Sequence, residues 1–174
     1  PEEIRATGWQ KDLNTSELNE INVQLIDLQQ TLFKRLGGLN IKENIESKNV
    51  ALLGLGSVGS QAVVQLVKAG VKNIILIDPD QLKIHNIIRH ACDLNDLGRN
   101  KTDAVEDKLK RINPEINVQK IQKDFVDHYD DILIAIKDSD LLIVSTDTAD
   151  SRNLANMASV KLNIPAVFIS LHER

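Results

Sequence analysis

Between residues 49 and 169, short apolar runs alternate with longer stretches of helical periodicity. Residues 49–53, 73–77, 117–121, 141–145 and 166–169 read as strands, the third more mixed than the others. Helices are predicted over 57–69, 99–112, 129–137 and 151–162. The second stops at Asn113-Pro114, because the residue before a proline resists the α region. Continuous apolar strands separated by helices imply a mainly parallel sheet covered on both faces. A Rossmann-like, doubly wound α/β domain is therefore predicted over 48–174. Upstream, Leu18, Ile21, Leu25, Leu28, Leu32 and Leu36 recur at three- and four-residue steps. They predict an amphipathic helix from about Asn14 to Leu36, with Asn14 and Glu17 as a capping box and Gly37-Gly38 as its stop. Residues 1–47 are thus expected to form an N-terminal helical extension, in which 41–48 adds one short turn.

Composition narrows the function classes. A chain of 174 residues with 42% hydrophobic content holds a real core. No apolar run approaches the ~18 residues needed to span a membrane. The net charge is -4 with Lys and Arg scattered, which argues against nucleic acid as a general partner. The single cysteine, Cys92, leaves no internal disulfide and no all-Cys zinc site within the chain. A reducing cytoplasm is the expected setting. Because it starts at Pro1 and stops just after the apolar run 166–171, the chain reads as an excerpt of a longer protein.

The chemistry begins at Gly54-Leu55-Gly56-Ser57-Val58-Gly59, which follows a predicted strand and opens a predicted helix. Glycines there let the backbone turn tightly and approach a phosphate, while the helix start supplies N–H donors and partial positive charge. A structural tight turn is the plainer alternative, and the motif alone does not choose among NAD, FAD and ATP. Asp78 ends the next strand, 19 residues past Gly59, where a carboxylate can accept ribose hydroxyls. Dehydrogenases have the same feature. Asp80 is a second carboxylate or a solvated turn residue after Pro79.

Arg89 and Lys101 discriminate further. Lys101 falls near a helix start, where the dipole disfavours a cation unless it meets an anion. Arg89 lies in a loop past the strand ends. With Asn86, the two cations suit a triphosphate whose leaving pyrophosphate must be neutralised. Asp147 follows the fourth strand and suits magnesium, or it caps the helix that contains Arg152. Cys92 has no activating partner and reads as a buried thiol. The histidines, 85, 90, 128 and 172, lack metal spacing, and Trp9 and Phe33 read as packing residues.

In this order the residues resemble the ThiF/MoeB/HesA superfamily, the adenylating domain shared with ubiquitin-activating enzymes. The resemblance covers about residues 48–170. It is carried by the glycine turn, Asp78-Pro79-Asp80, Asn86-Ile87-Ile88-Arg89, Lys101, Ile112-Asn113-Pro114, and Thr146-Asp147 through Arg152. It implies ATP-dependent adenylation of a carboxylate, usually the C-terminal glycine of a ubiquitin-like or sulfur-carrier protein, by a domain that forms a homodimer. Transferred residue by residue, Asp78 would hold the ribose; Asn86, Arg89 and Lys101 the phosphates; and Asp147 the Mg²⁺. An NAD(P)-dependent oxidoreductase and a non-catalytic nucleotide-binding or dimerisation partner are the rival classes, and a peptide, small-molecule or tRNA carboxylate is the rival substrate. The chain departs from the family pattern at Ile88, His90 and Thr148, and its Arg-His pair resembles a divergent bacterial branch. Arg5 and Arg35 are the candidates for the family's N-terminal phosphate-binding arginine.

Overall fold

The computed structural model describes residues 45–169 and, as backbone, strands 5–11 and 18–24. Two units make up the chain, Pro1–Gly38 and Leu39–Arg174. In the first, β1 (Arg5–Lys11) and β2 (Leu18–Gln24) pair antiparallel, with Ala6 opposite Val23 and Trp9 opposite Glu20. The helix expected from Asn14 is therefore corrected over 18–24, which is a strand. Ile21 and Val23 lie two apart as well as fitting the helical spacing of the leucines, and both are β-branched. Pairing with residues 5–11 resolves the two periods in favour of the strand. The expected capping box, residues 25–36 and the Gly37-Gly38 stop lie outside the described residues, as do Phe33, Arg35 and His172.

The second unit follows the predicted alternation. Its elements are β3 (Asn49–Leu53), α1 (Gly59–Lys68), β4 (Asn73–Ile77), α2 (Lys101–Ile112), β5 (Asn117–Ile121), α3 (Tyr129–Ile136), β6 (Leu141–Val144), α4 (Ala149–Leu162) and β7 (Ala166–Phe168). The five strands are parallel in the order β5-β4-β3-β6-β7.

Alternation along the strands splits the core. Val50 and Leu52 of β3, with Ile74 and Leu76 of β4, face Val63, Val67, Val105 and Leu109 of α1 and α2. Ala51, Leu53 and Ile77 face Ile132 and Ile136 of α3 and Ala155 and Ala158 of α4. α2 stops where Asn113 turns extended at φ −137°, as the following proline requires. From β3 the chain steps to β4 on one side, while β6 lies on the other. The loops after β3 and β6 therefore diverge and open a crevice at the carboxyl ends of the strands, where doubly wound sheets bind ligands.

Candidate functional site

A cleft of about 740 Å³ occupies that crevice. The turn after β3 forms its floor. Gly54 takes φ +90°, a conformation that glycine adopts without steric cost. A Cβ on Gly59 would run into the Gly54 carbonyl and the Ser145 hydroxyl. Gly56 differs: a Cβ there would meet nothing within 4 Å. Protein packing does not require that glycine, and the open space suits a close-approaching ligand. α1 starts beside it at Val58 with no side-chain cap and no acidic residue in its first turn. Its N-terminal dipole is thus left available to an anion.

Asp78 is 5% exposed. One carboxylate oxygen accepts from Leu55 N at 2.6 Å and the other from Asp80 N at 2.9 Å. Burial pushes its pKa up, and Lys101 and the two backbone donors oppose that shift. The carboxylate thus locks the glycine turn while lying at the cleft wall. Lys101 begins α2, 7% exposed, with Nζ 2.7 Å from Asp80 and 3.5 Å from Asp78. The anion expected at this helix start is supplied within the chain by these carboxylates. Asp80, read as a turn residue or a ligand group, is exposed but holds Lys101.

Asn86 caps its own short turn, its side-chain oxygen accepting from Lys83 N at 2.9 Å, and its amide NH₂ remains free to donate among the described residues. Arg89 is exposed on the cleft rim, and its guanidinium has no partner among the described residues. Asp147 lines the opposite wall in the same condition. The cap it could have provided comes from Thr148, whose hydroxyl accepts from Ser151 N. Among the described residues no cluster of three or more His, Cys, Asp or Glu forms a metal cage. Mg²⁺ needs none, since one carboxylate, waters and phosphate oxygens complete its octahedron.

The structure thus brings Gly54, Gly56, Ser57, Val58, Asp78, Asp80, Asn86, Arg89, Lys101 and Asp147 onto one cleft. Gly59 lies buried just behind, where it permits close packing. Three contributors were not singled out from sequence, and a fourth, Arg152, was named in a motif without a role. Arg152 donates from Nε to the Thr146 carbonyl at 2.9 Å and braces the loop that carries Asp147. Lys123, Asp124 and Phe125 line the end beyond β5. The rule that ligands gather at strand C-termini could have found these three. Cys92 is buried, its thiol pushed up to about 11 by burial and by Asp96, in keeping with an unreactive packing residue.

Among known proteins, the chain is 30% identical to ubiquitin-like modifier-activating enzyme 5 of Caenorhabditis elegans, covering 72% of this chain and 32% of that protein. It is 27% identical to the Escherichia coli sulfur carrier protein ThiS adenylyltransferase, over 76% of this chain and 52% of the relative. It therefore spans about a third of the first of these relatives and about half of the second. Among solved structures, E. coli MccB with ATP superposes at TM-score 0.72 with 28% identity, covering 79% of this chain and 44% of that one. E. coli tRNA N6-threonylcarbamoyladenosine dehydratase TcdA, in complex with AMP, superposes at 0.74 with 25% identity, over 84% and 61%. The ThiF family profile matches residues 28–173, and the chain belongs to the ThiF family.

Proposed function

We propose that this chain carries the nucleotide site of an ATP-dependent enzyme that adenylates a carboxylate and releases pyrophosphate. The observation that carries the reading is one cleft holding an uncapped helix start, a buried carboxylate and two cations, with a partnerless carboxylate opposite. Asp78 is placed to accept from ribose hydroxyls, and the glycine turn and α1 start to receive phosphate oxygens. Arg89 and Lys101 neutralise charge on the departing pyrophosphate, with Asn86 donating beside them. Asp147 would hold Mg²⁺, which when bound supplies charge neutralisation on the phosphate oxygens. No side-chain nucleophile is required, because positioning and electrostatics do the work in such transfers.

The substrate reading is the C-terminal carboxylate of a ubiquitin-like or sulfur-carrier protein, the two protein classes that appear in the names of the C. elegans and E. coli relatives. A peptide carboxylate is the second reading, favoured by the MccB structures in complex with a peptide. Pairing with a second copy is supported by Ile84, Ile88, Leu94 and Leu97, large apolar side chains left exposed on the segment that carries Arg89; a monomeric sedimentation profile of the full-length protein would argue against it. The reaction is tested by ATP–pyrophosphate exchange of the full-length protein with ubiquitin-like, sulfur-carrier and peptide acceptors. Arg89→Ala and Lys101→Ala should each slow exchange about a hundredfold, more than they weaken ATP binding. Exchange lost in Cys92→Ala but kept in Lys101→Ala would reverse the assignment.

A further inference from the structure

His90, one of the departures from the family pattern, is 6% exposed. Its Nε2 donates to the Leu55 carbonyl at 2.8 Å, while Nδ1 accepts from the Cys92 backbone N–H at 3.0 Å. A backbone N–H can only donate, so Nδ1 must be bare and Nε2 must carry the proton. Leu55 is consequently gripped at both polar atoms, its N–H by Asp78 and its carbonyl by His90. The next residue is tied as well, Ala91 N donating to the buried Ser60 hydroxyl of α1 at 3.1 Å. Two segments of the cleft, the glycine turn and the loop carrying Asn86 and Arg89, therefore meet at one imidazole.

We propose that His90 is a positioning residue that keeps the Arg89 loop in register on the glycine turn only while its ring is neutral, because only the neutral ring accepts from the Cys92 N–H while Nε2 donates to Leu55, so that acidification weakens nucleotide binding through this group. The inference rests on the nucleotide reading above. Protonation would set a new Nδ1–H against the Cys92 N–H, two donors facing each other, while Nε2–H keeps its bond to the Leu55 carbonyl. The loop must then shift, and Arg89 shifts with it. The charged groups around the ring are Lys101 from α2, Asp78 from the end of β4 and Asp96 from the intervening loop. The Leu55 carbonyl favours a charged ring, as do the two carboxylates, and Lys101 opposes it. Burial, the largest influence, holds the ring's pKa below the usual imidazole value. The clasp is complete above the ordinary histidine range, and its Cys92 half is lost as pH falls through the lowered folded value.

Calorimetry of MgATP binding by the full-length protein from about pH 5 to pH 8 tests this. The wild type should bind with constant affinity in the neutral range and lose roughly tenfold at the acid end. His90→Leu should be weak throughout. His90→Gln, which keeps a donor and an acceptor but cannot titrate, should restore most of what leucine loses and abolish the acid decline. A glutamine variant with the wild-type acid decline overturns the proposal. Wild-type protein that binds no MgATP at any pH overturns the nucleotide reading instead. A second measurement stands apart from nucleotide: NMR of the protein labelled with ¹⁵N at histidine and glycine. It should show an Nε2–H ring at neutral pH and Gly54 and Gly56 amide signals that follow its titration. An Nδ1–H ring, or glycine signals indifferent to the titration, overturns the positioning role.

Discussion

The two walls of the cleft are built on opposite terms. On the β3–β4 side Asp78, Lys101 and His90 are buried, and each is bonded to its neighbours. On the rim and the β6–α4 side Arg89 and Asp147 are exposed and partnerless among the described residues. Burial with full hydrogen bonding fixes geometry before a ligand arrives, at the cost of desolvating charge. Exposure leaves charges solvated and free to rearrange. The first wall suits the ribose and the phosphate oxygens that meet the glycine turn and Lys101, and the second suits the metal and the departing phosphates beside Arg89, where charge changes during reaction.

The largest effect that would sharpen this contrast lies in the glycine turn. Gly59→Ala forces a Cβ into the Gly54 carbonyl and should lower stability by about 3 kcal/mol, read from urea unfolding. Gly56→Ala meets no protein atom and should leave unfolding unchanged while weakening MgATP binding. Equal loss of stability in both would break the distinction between packing glycine and ligand-facing glycine.

Lys101→Ala should differ from Arg89→Ala in stability. Removing Lys101 strips the cation from buried Asp78 and should cost about 2 kcal/mol, whereas Arg89→Ala should cost nothing measurable on unfolding. Thermal denaturation of both variants decides this, and equal melting temperatures would contradict the two-wall account.

Asp78→Asn is the subtler case. Burial raises the folded pKa of Asp78 above its ordinary value. A raised carboxyl contributes stability that is complete below the unfolded pKa and lost as pH rises through the folded one. At neutral pH the ionised form is thus a net cost. The asparagine variant removes that cost but sets an NH₂ against the backbone N–H of Leu55 or Asp80, so it should unfold more easily than wild type by about 1 kcal/mol, lose this carboxyl's pH dependence and bind nucleotide poorly. Unfolding indistinguishable from wild type would show that the carboxylate does not lock the glycine turn. The smallest effect is that of Asp147→Ala: unchanged unfolding, with MgATP binding that no longer responds to magnesium.

The doubly wound sheet was legible because four of its five strands are short apolar runs and each helix keeps its own period. The same signal misled at 18–24, where Ile21 and Val23 fit both periods and a tertiary partner, β1, decided. At the cleft, spacing carried Gly54, Asp78, Asn86, Arg89, Lys101 and Asp147, since the backbone path brings strand ends together whatever lies between. The contacts of His90 and Arg152 were not legible. Both act on backbone carbonyls, at Leu55 and Thr146, and a carbonyl partner leaves no mark in the sequence. Thr148 rather than Asp147 as the cap of α4 was equally hidden, because both residue types cap well.

Calorimetry of the full-length protein with MgATP and, separately, with NAD addresses the central claim most directly. The cleft's two cations and its free Asp147 predict saturable MgATP binding that weakens when magnesium is withheld, with NAD weaker or undetectable. Tight NAD binding with no response to ATP and Mg²⁺ would contradict it.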